Sequence, residues 1–212
     1  LRKSDARGFY PNLHSSQMPE VIKTGKVGSF LHVVTAEEAN MLQRYAQDSR
    51  LGIPLLIGID AIHGNALVRG ATVYPAPMSM ASTWNLDLVR RANEETAIEM
   101  RATGSHWSFT PNIDIARDPR WGRVGETFGE DSYLVGEMGV ATIDGLQQGD
   151  FTGPTKVIAN AKHWVAGGDP INGINLSPMD ISIRTLREDF FPPFKRAIDA
   201  GVFTFMAAHN EI

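Results

Sequence analysis

The chain has 212 residues, 42% of them hydrophobic and 21% charged, with a formal net charge of -4. That composition suits a globular protein long enough to bury one sizeable core. Lysine and arginine are scattered with no basic stripe, which argues against a nucleic-acid partner. No apolar run approaches the roughly 20 residues that cross a bilayer, and the absence of cysteine excludes disulfides, thiol catalysis and Cys-based zinc sites.

Leu1 to Gln17 reads as loop, and its start, Leu1-Arg2-Lys3-Ser4-Asp5, lacks the apolar core of a signal peptide. Because leaders are cleaved, this leaves the compartment open. Met18 to Lys23 reads as a short helix and Val27 to Val34 as the first strand. Thr35 is an N-cap candidate with Glu37 and Glu38 in the first turn, opening a helix to about Ser49. Ile53 to Ile59 is a nearly unbroken apolar run of the kind buried on both faces of a parallel sheet, and Asp60 and His63 follow it at once. Ala66 to Thr83 is irregular. Asn85 is placed to cap a helix from Leu86 to Thr103 with Leu88, Ala92, Thr96 and Met100 on one stripe, ended by Gly104. A strand from Trp107 to Ile113 precedes a charged loop, and a helix runs from about Ser132 to Gln148. Val157 to Ala161 is a strand with Lys162-His163 directly behind it. Arg184 to Asp199 reads as a helix broken at Pro192-Pro193, and Val202 to Ala207 as a last strand followed by His209-Asn210-Glu211.

Strands alternating with helices predict an α/β fold with a parallel sheet and right-handed crossovers. Each strand runs into polar residues: His32, Asp60 and His63, Asn112 to Asp114, Lys162-His163, His209-Asn210. In a (β/α)8 TIM-type barrel the active site lies at the C-terminal ends of the strands. An open doubly wound sheet would use the same edge, but no glycine-rich phosphate loop follows a strand. A barrel takes eight strands and about 250 residues. About five parallel strands with flanking helices are legible, so the expectation is a partial barrel.

The loop between Phe109 and Tyr133 concentrates Asp114, Arg117, Asp118, Arg120, Arg123, Glu126, Glu130 and Asp131 among Pro119, Gly122, Gly125 and Gly129, with no helix or strand period. Loops of this kind are often functional, although a salt-bridged loop that merely closes one end of the fold would read the same way. Asp60 could accept hydrogen bonds from two ligand hydroxyls. Lys162 at the end of a buried strand needs an acceptor or water. Arg123 is a forked donor able to read hydroxyls or to hold Glu126 or Asp114. Met206 and His209 end the last strand. A metal site made from His63, His163 and His209 is a further possibility on spacing alone. No serine sits on a nucleophile elbow.

Several motifs in order resemble glycoside hydrolase family 3, of the β-glucosidase and β-xylosidase type. They are Leu51 to Gly64 (LGIPLLIGIDAIHG), Ala81-Ser82-Thr83-Trp84-Asn85, Asp118-Pro119-Arg120-Trp121-Gly122-Arg123 with Glu126 to Asp131, Ala161-Lys162-His163-Trp164, Arg184 to Glu188, and Met206 to Glu211. The likeness covers about Gly25 to Ile212. It implies the family's first domain, a (β/α)8 barrel or a variant of it. The implied activity is that of a retaining, exo-acting β-glycosidase, a β-glucosidase in first place, working by double displacement. By the same resemblance Asp60, Arg123, Lys162 and His163 hydrogen-bond the terminal sugar, and Met206 and His209 line its pocket. Asp114 and Asp118 are taken as loop-bracing. The resemblance implies no cofactor and no metal. It implies a small-molecule or oligosaccharide β-glycoside as substrate, the remainder of the parent chain as partner, no nucleic acid or membrane, and an exported (periplasmic or secreted) location.

The family's aspartate nucleophile stands in a Ser-Asp-Trp or similar motif after the next strand, and the general acid of the glucosidase type comes from a second domain; neither matches a segment here. The hexosaminidase branch carries Lys-His-Phe-Pro-Gly-His-Gly where this chain reads Lys162-His163-Trp164-Val165-Ala166-Gly167-Gly168, so that branch does not fit. The expectation is therefore that 1–212 is an incomplete barrel domain without the first-strand region and the last strands, holding part of a sugar subsite, no catalytic residue, and no activity alone. The rival is a non-catalytic sugar-binding or assembly module.

Overall fold

The structure is a computed structural model that describes residues 17–149 and 153–212; the loop expected over most of Leu1 to Gln17 lies outside them. In chain order the elements are α1 (Met18–Lys23), β1 (Ser29–Leu31), α2 (Ala36–Gln47), β2 (Leu56–Ile59), α3 (Pro77–Ala81), α4 (Leu86–Ala102) and β3 (Trp107–Ser108). They continue with α5 (Ser132–Gln147), β4 (Ile158–Trp164), α6 (Ile183–Thr185), α7 (Phe191–Asp199) and β5 (Thr204–Ala207).

The caps carry out what the sequence spells. Thr35 Oγ1 accepts from Glu38 N at 3.2 Å to start α2, and Asn85 Oδ1 accepts from Leu88 N at 3.1 Å to start α4. Asp131, read as one more charge of the loop, is the cap of α5 and accepts from Leu134 N at 2.7 Å. Pro77 at the first position of α3 makes a helix within a stretch expected to be irregular. Pro192 and Pro193 lie in the first turn of α7, where their missing N–H groups cost nothing. The break lies just upstream, in a π turn over Leu186–Phe190.

All five strands are parallel and neighbour one another in sequence order, β1-β2-β3-β4-β5. A doubly wound sheet reverses its strand order at a switch point, so this unreversed order makes the sheet singly wound, a curled half-barrel. The apolar run Ile53 to Ile59 contributes only its second half to β2; Ile53 is 64% exposed while Ile57 and Ile59 are fully buried. Extended backbone continues past β3. Phe109 N donates to Ile59 O, Lys162 N to Pro111 O and Ile113 N to Lys162 O, at 2.8–3.0 Å. Lys162 and His163 thus belong to β4 itself rather than following it, and the ladder to β5 shifts register between Lys162 and Trp164.

Two apolar clusters cover the outer face of the sheet. The smaller joins Ile57 of β2 to Ile22, Ala39, Leu42 and Ala46 of α1 and α2. The larger joins Ile59, Ala159 and Ala161 to Val89, Ala97, Met100, Met138, Ile143 and Phe194 of α4, α5 and α7. The stripe expected on α4 is turned: Val89, Asn93, Thr96, Ala97 and Met100 are buried, and Leu88 is 50% exposed. The cause is a close helix contact, because a Cβ on Gly145 of α5 would lie 2.3 Å from Arg90 O and 2.8 Å from Asn93 Cβ. On the inner face Gly58 serves the same purpose for Phe109, whose ring lies 2.4 Å from where a Cβ would be.

Candidate functional site

Residues just after β1 and β2, beyond β3 and at the C-terminal end of β4 meet at one rim. His32 directly follows β1 in a left-handed conformation (φ 57°), and its Nε2–H donates to Asp60 Oδ2 at 2.8 Å. Lys162 reaches across β3 and donates to Asp60 Oδ1 at 2.8 Å. Its side chain is only 3% exposed, so the carboxylate is what makes its burial tolerable. Burial pushes the Asp60 carboxyl up, but the His32 hydrogen bond and the Lys162 charge outweigh it, and the pKa falls to about 2.

Beside this pair stands a second network. Asp114, beyond β3, is fully buried and its Oδ2 faces His163 Nδ1 at 2.7 Å. His163 Nε2 lies 3.2 Å from an Arg123 terminal nitrogen. Arg123 grips Glu126 with both arms of its fork, Nε to Oε1 and Nη2 to Oε2, each at 2.8 Å. Burial raises the Glu126 carboxyl, and Arg123 more than offsets it, leaving it below the usual range. The guanidinium sits 5.9 Å from the centroid of Trp121. Trp121 is buried and donates its Nε1–H to Asn175 Oδ1 at 2.9 Å. The charged loop is held partly by its own pair, Asp118 on Arg120, and partly by Arg117 on Asp189 of the π turn.

The structure brings together Asp60, Arg123, Lys162 and His163 of the expected residues. Met206 is the register partner of Lys162 on β5, which puts both side chains on the same sheet face. His209 is exposed past the end of β5 and is outside the hydrogen-bonded network. His63 turns away and bonds Tyr74 O at 2.9 Å through Nδ1. The three histidines of the metal reading are not assembled: among the described residues no group of three or more His, Asp or Glu side chains is arranged to hold a metal ion. Sequence reasoning named Glu126 and Asp114 as possible partners of Arg123, and the structure gives Arg123 to Glu126; it did not single out His32 or Trp121, nor Asp114 as the partner of His163. Asp114 in particular is a partner of His163, not a mere loop brace. Its position directly behind a strand was the available signal.

Chemically, the rim offers carboxylate oxygens as acceptors and an ammonium and a guanidinium as donors, a set that matches vicinal hydroxyl groups. A singly wound parallel sheet carrying such a cluster at its C-terminal ends has the layout of half of a (β/α)8 barrel, where active sites lie at that edge. The sequence profile of the Glycosyl hydrolase family 3 N terminal domain matches residues 10–212. The chain is 34% identical over 95% of its length to a periplasmic beta-glucosidase of Salmonella typhimurium and 42% identical over 88% to a beta-xylosidase of Formosa agariphila. A solved β-glucosidase involved in saponin metabolism in intestinal bacteria superposes with a TM-score of 0.86 at 40% identity, covering 91% of this chain and 26% of its own. The chain belongs to glycosyl hydrolase family 3. It spans about a quarter of the length of the curated relatives it matches, 26% and 27% of the two just named.

Proposed function

We propose that this chain supplies the part of a family 3 β-glycosidase that grips the terminal, non-reducing sugar, and that the parent protein is a retaining, exo-acting β-glucosidase. The observation that carries the reading is the meeting of Asp60, Arg123, Lys162 and His163, drawn from two strand ends and one loop, on a single rim. Asp60 and Glu126 accept from ring hydroxyls, Lys162 and Arg123 donate to them, and Met206 supplies an apolar wall beside Lys162.

In this reading the chain alone does not turn over substrate. Retaining hydrolysis takes two carboxyl groups about 5–5.5 Å apart, one kept protonated as the acid. Each carboxylate of the cluster is instead matched to a base or a cation: Asp60 to Lys162 and His32, Asp114 to His163, Glu126 to Arg123. Neither Asp60 nor Glu126 is raised toward an acid's range; both are lowered. Relatives named β-glucosidase and β-xylosidase support the β-glycoside class, and the periplasmic relative supports an exported location for the parent.

The test has two arms on the 212-residue chain. Chemical-shift titration with glucose is expected to move signals of Asp60, Lys162 and His163 in a saturable way, and an aryl β-glucoside is expected to stay intact. Turnover near that of a complete enzyme would overturn the reading, as would a folded chain whose rim signals ignore glucose.

A further inference from the structure

Asp114 and Arg123 approach the two ring nitrogens of His163 from opposite sides, and the chemistry of each neighbour leaves one choice of tautomer. Asp114 Oδ2 lies 2.7 Å from Nδ1, and a carboxylate only accepts, so Nδ1 carries the proton. The Arg123 terminal nitrogen lies 3.2 Å from Nε2, and a guanidinium only donates, so Nε2 is a bare lone pair. The carboxylate is itself fixed. Its side chain is fully buried, its backbone N–H donates to Asn112 Oδ1 at 3.0 Å, and its Oδ1 faces the backbone N–H of His163 at 3.3 Å. Gly167 leaves it room, since a Cβ there would stand 3.0 Å from Asp114 Oδ1. Arg123 keeps both arms on Glu126, so it stays anchored if a ligand takes over Nε2.

We propose that Asp114 is a positioning residue that locks His163 as a hydrogen-bond acceptor, so that the ligand position meeting Nε2 must be a hydroxyl donor. The consequence for sugar recognition rests on the sugar-gripping function proposed above; the lock itself does not. At that one ring position a deoxy sugar and a deoxyfluoro sugar fail alike, because fluorine accepts but does not donate. At positions met by Lys162 or Arg123, which donate, the deoxyfluoro sugar outperforms the deoxy sugar.

The experiment is 15N-imidazole NMR of the histidine-labelled 212-residue chain near neutral pH, without ligand, with His163→Gln used only to assign the signals. The expected result is the pattern of a ring protonated on Nδ1 alone. A ring protonated on Nε2, or on both nitrogens, overturns the lock without touching the sugar reading. Asp114→Asn, whose amide can donate to Nδ1, is expected to move protons onto Nε2. The native tautomer persisting in that folded variant would also overturn the role of Asp114. Binding of the monodeoxy and monodeoxyfluoro glucose series is the second measurement. Positions met by Asp60 and Glu126 fail with both replacements as well, so the Nε2 position is the one that loses about tenfold with both in the native chain and tolerates fluorine in Asp114→Asn. Binding of glucose with no position whose intolerance to both depends on Asp114 overturns the acceptor role, while no glucose binding by the folded chain counts against the sugar reading and leaves the spectrum to decide the lock.

Discussion

Lys162 Nζ and Asp60 Oδ1 lie 2.8 Å apart although 102 residues separate them in sequence, and their two strands are divided by β3. The pair is lopsided. The Lys162 side chain is 3% exposed and that of Asp60 is 32% exposed. Removing the carboxylate strands a buried ammonium, whereas removing the ammonium leaves a carboxylate that still has His32 and water. Asp60→Asn is therefore expected to cost about 3 kcal/mol and Lys162→Met about 1 kcal/mol in urea unfolding. Equal costs, or the reverse order, would sink this account of the pair.

Acid should weaken the same pair. The Asp60 carboxyl has a pKa of about 2 in the fold against an ordinary value of 3.8. A lowered carboxyl contributes stability that is fully present above its unfolded value and is lost as pH falls through its folded value. The window is thus about pH 4 down to about pH 2. Allowing for the carboxylate's one-third exposure, the contribution is about 1 kcal/mol. The stability gap between the native chain and Asp60→Asn should narrow by about two-thirds of that amount between about pH 5 and about pH 2.5. A gap constant across this range would contradict the linkage.

The glycines of the two loops make opposite demands. A Cβ on Gly168 would lie 2.1 Å from Ile115 O, where the backbone of the loop after β4 presses on residues 115–118. Gly122 has nothing within 4 Å of its Cβ position and no left-handed φ. Gly168→Ala is expected to destabilise by about 2–3 kcal/mol or more, and Gly122→Ala to stay within about 0.5 kcal/mol of the parent. Thermal unfolding of the two variants decides this directly.

Arg123 holds Glu126 by a fork that lysine cannot reproduce. Under the proposed function, Arg123→Lys should leave stability within about 1 kcal/mol, since the pair is part-exposed, yet weaken glucose binding about tenfold. An unchanged affinity would remove Arg123 from the sugar-contacting set.

Much of the architecture was legible because local chemistry and period agree with the fold. Thr35 and Asn85 announce their helices, the apolar runs announce β2 and β4, and the polar residues near the strand ends mark the edge where the charged cluster gathers. What misled was geometry set by distant neighbours. The stripe on α4 is turned because Gly145 admits Asn93 and Arg90 of another helix at close range, a contact with a distant part of the chain that no local period encodes. Lys162 and His163 looked like residues behind a strand and are part of it, because Pro111, Ile113 and Thr204 to Ala207 pair with that stretch.

By itself the sequence determined the parallel α/β order, through its periods and caps, and, through the resemblance of its ordered motifs, the family and four of the residues that gather at the rim. Only the tertiary structure decided which partner each charge takes. Asp114 could have braced its loop, and instead it faces His163; His63 could have joined the cluster, and instead it bonds the Tyr74 carbonyl. Strand register and the close approach of loops choose among equally plausible partners, and both are set by packing between segments far apart in the chain.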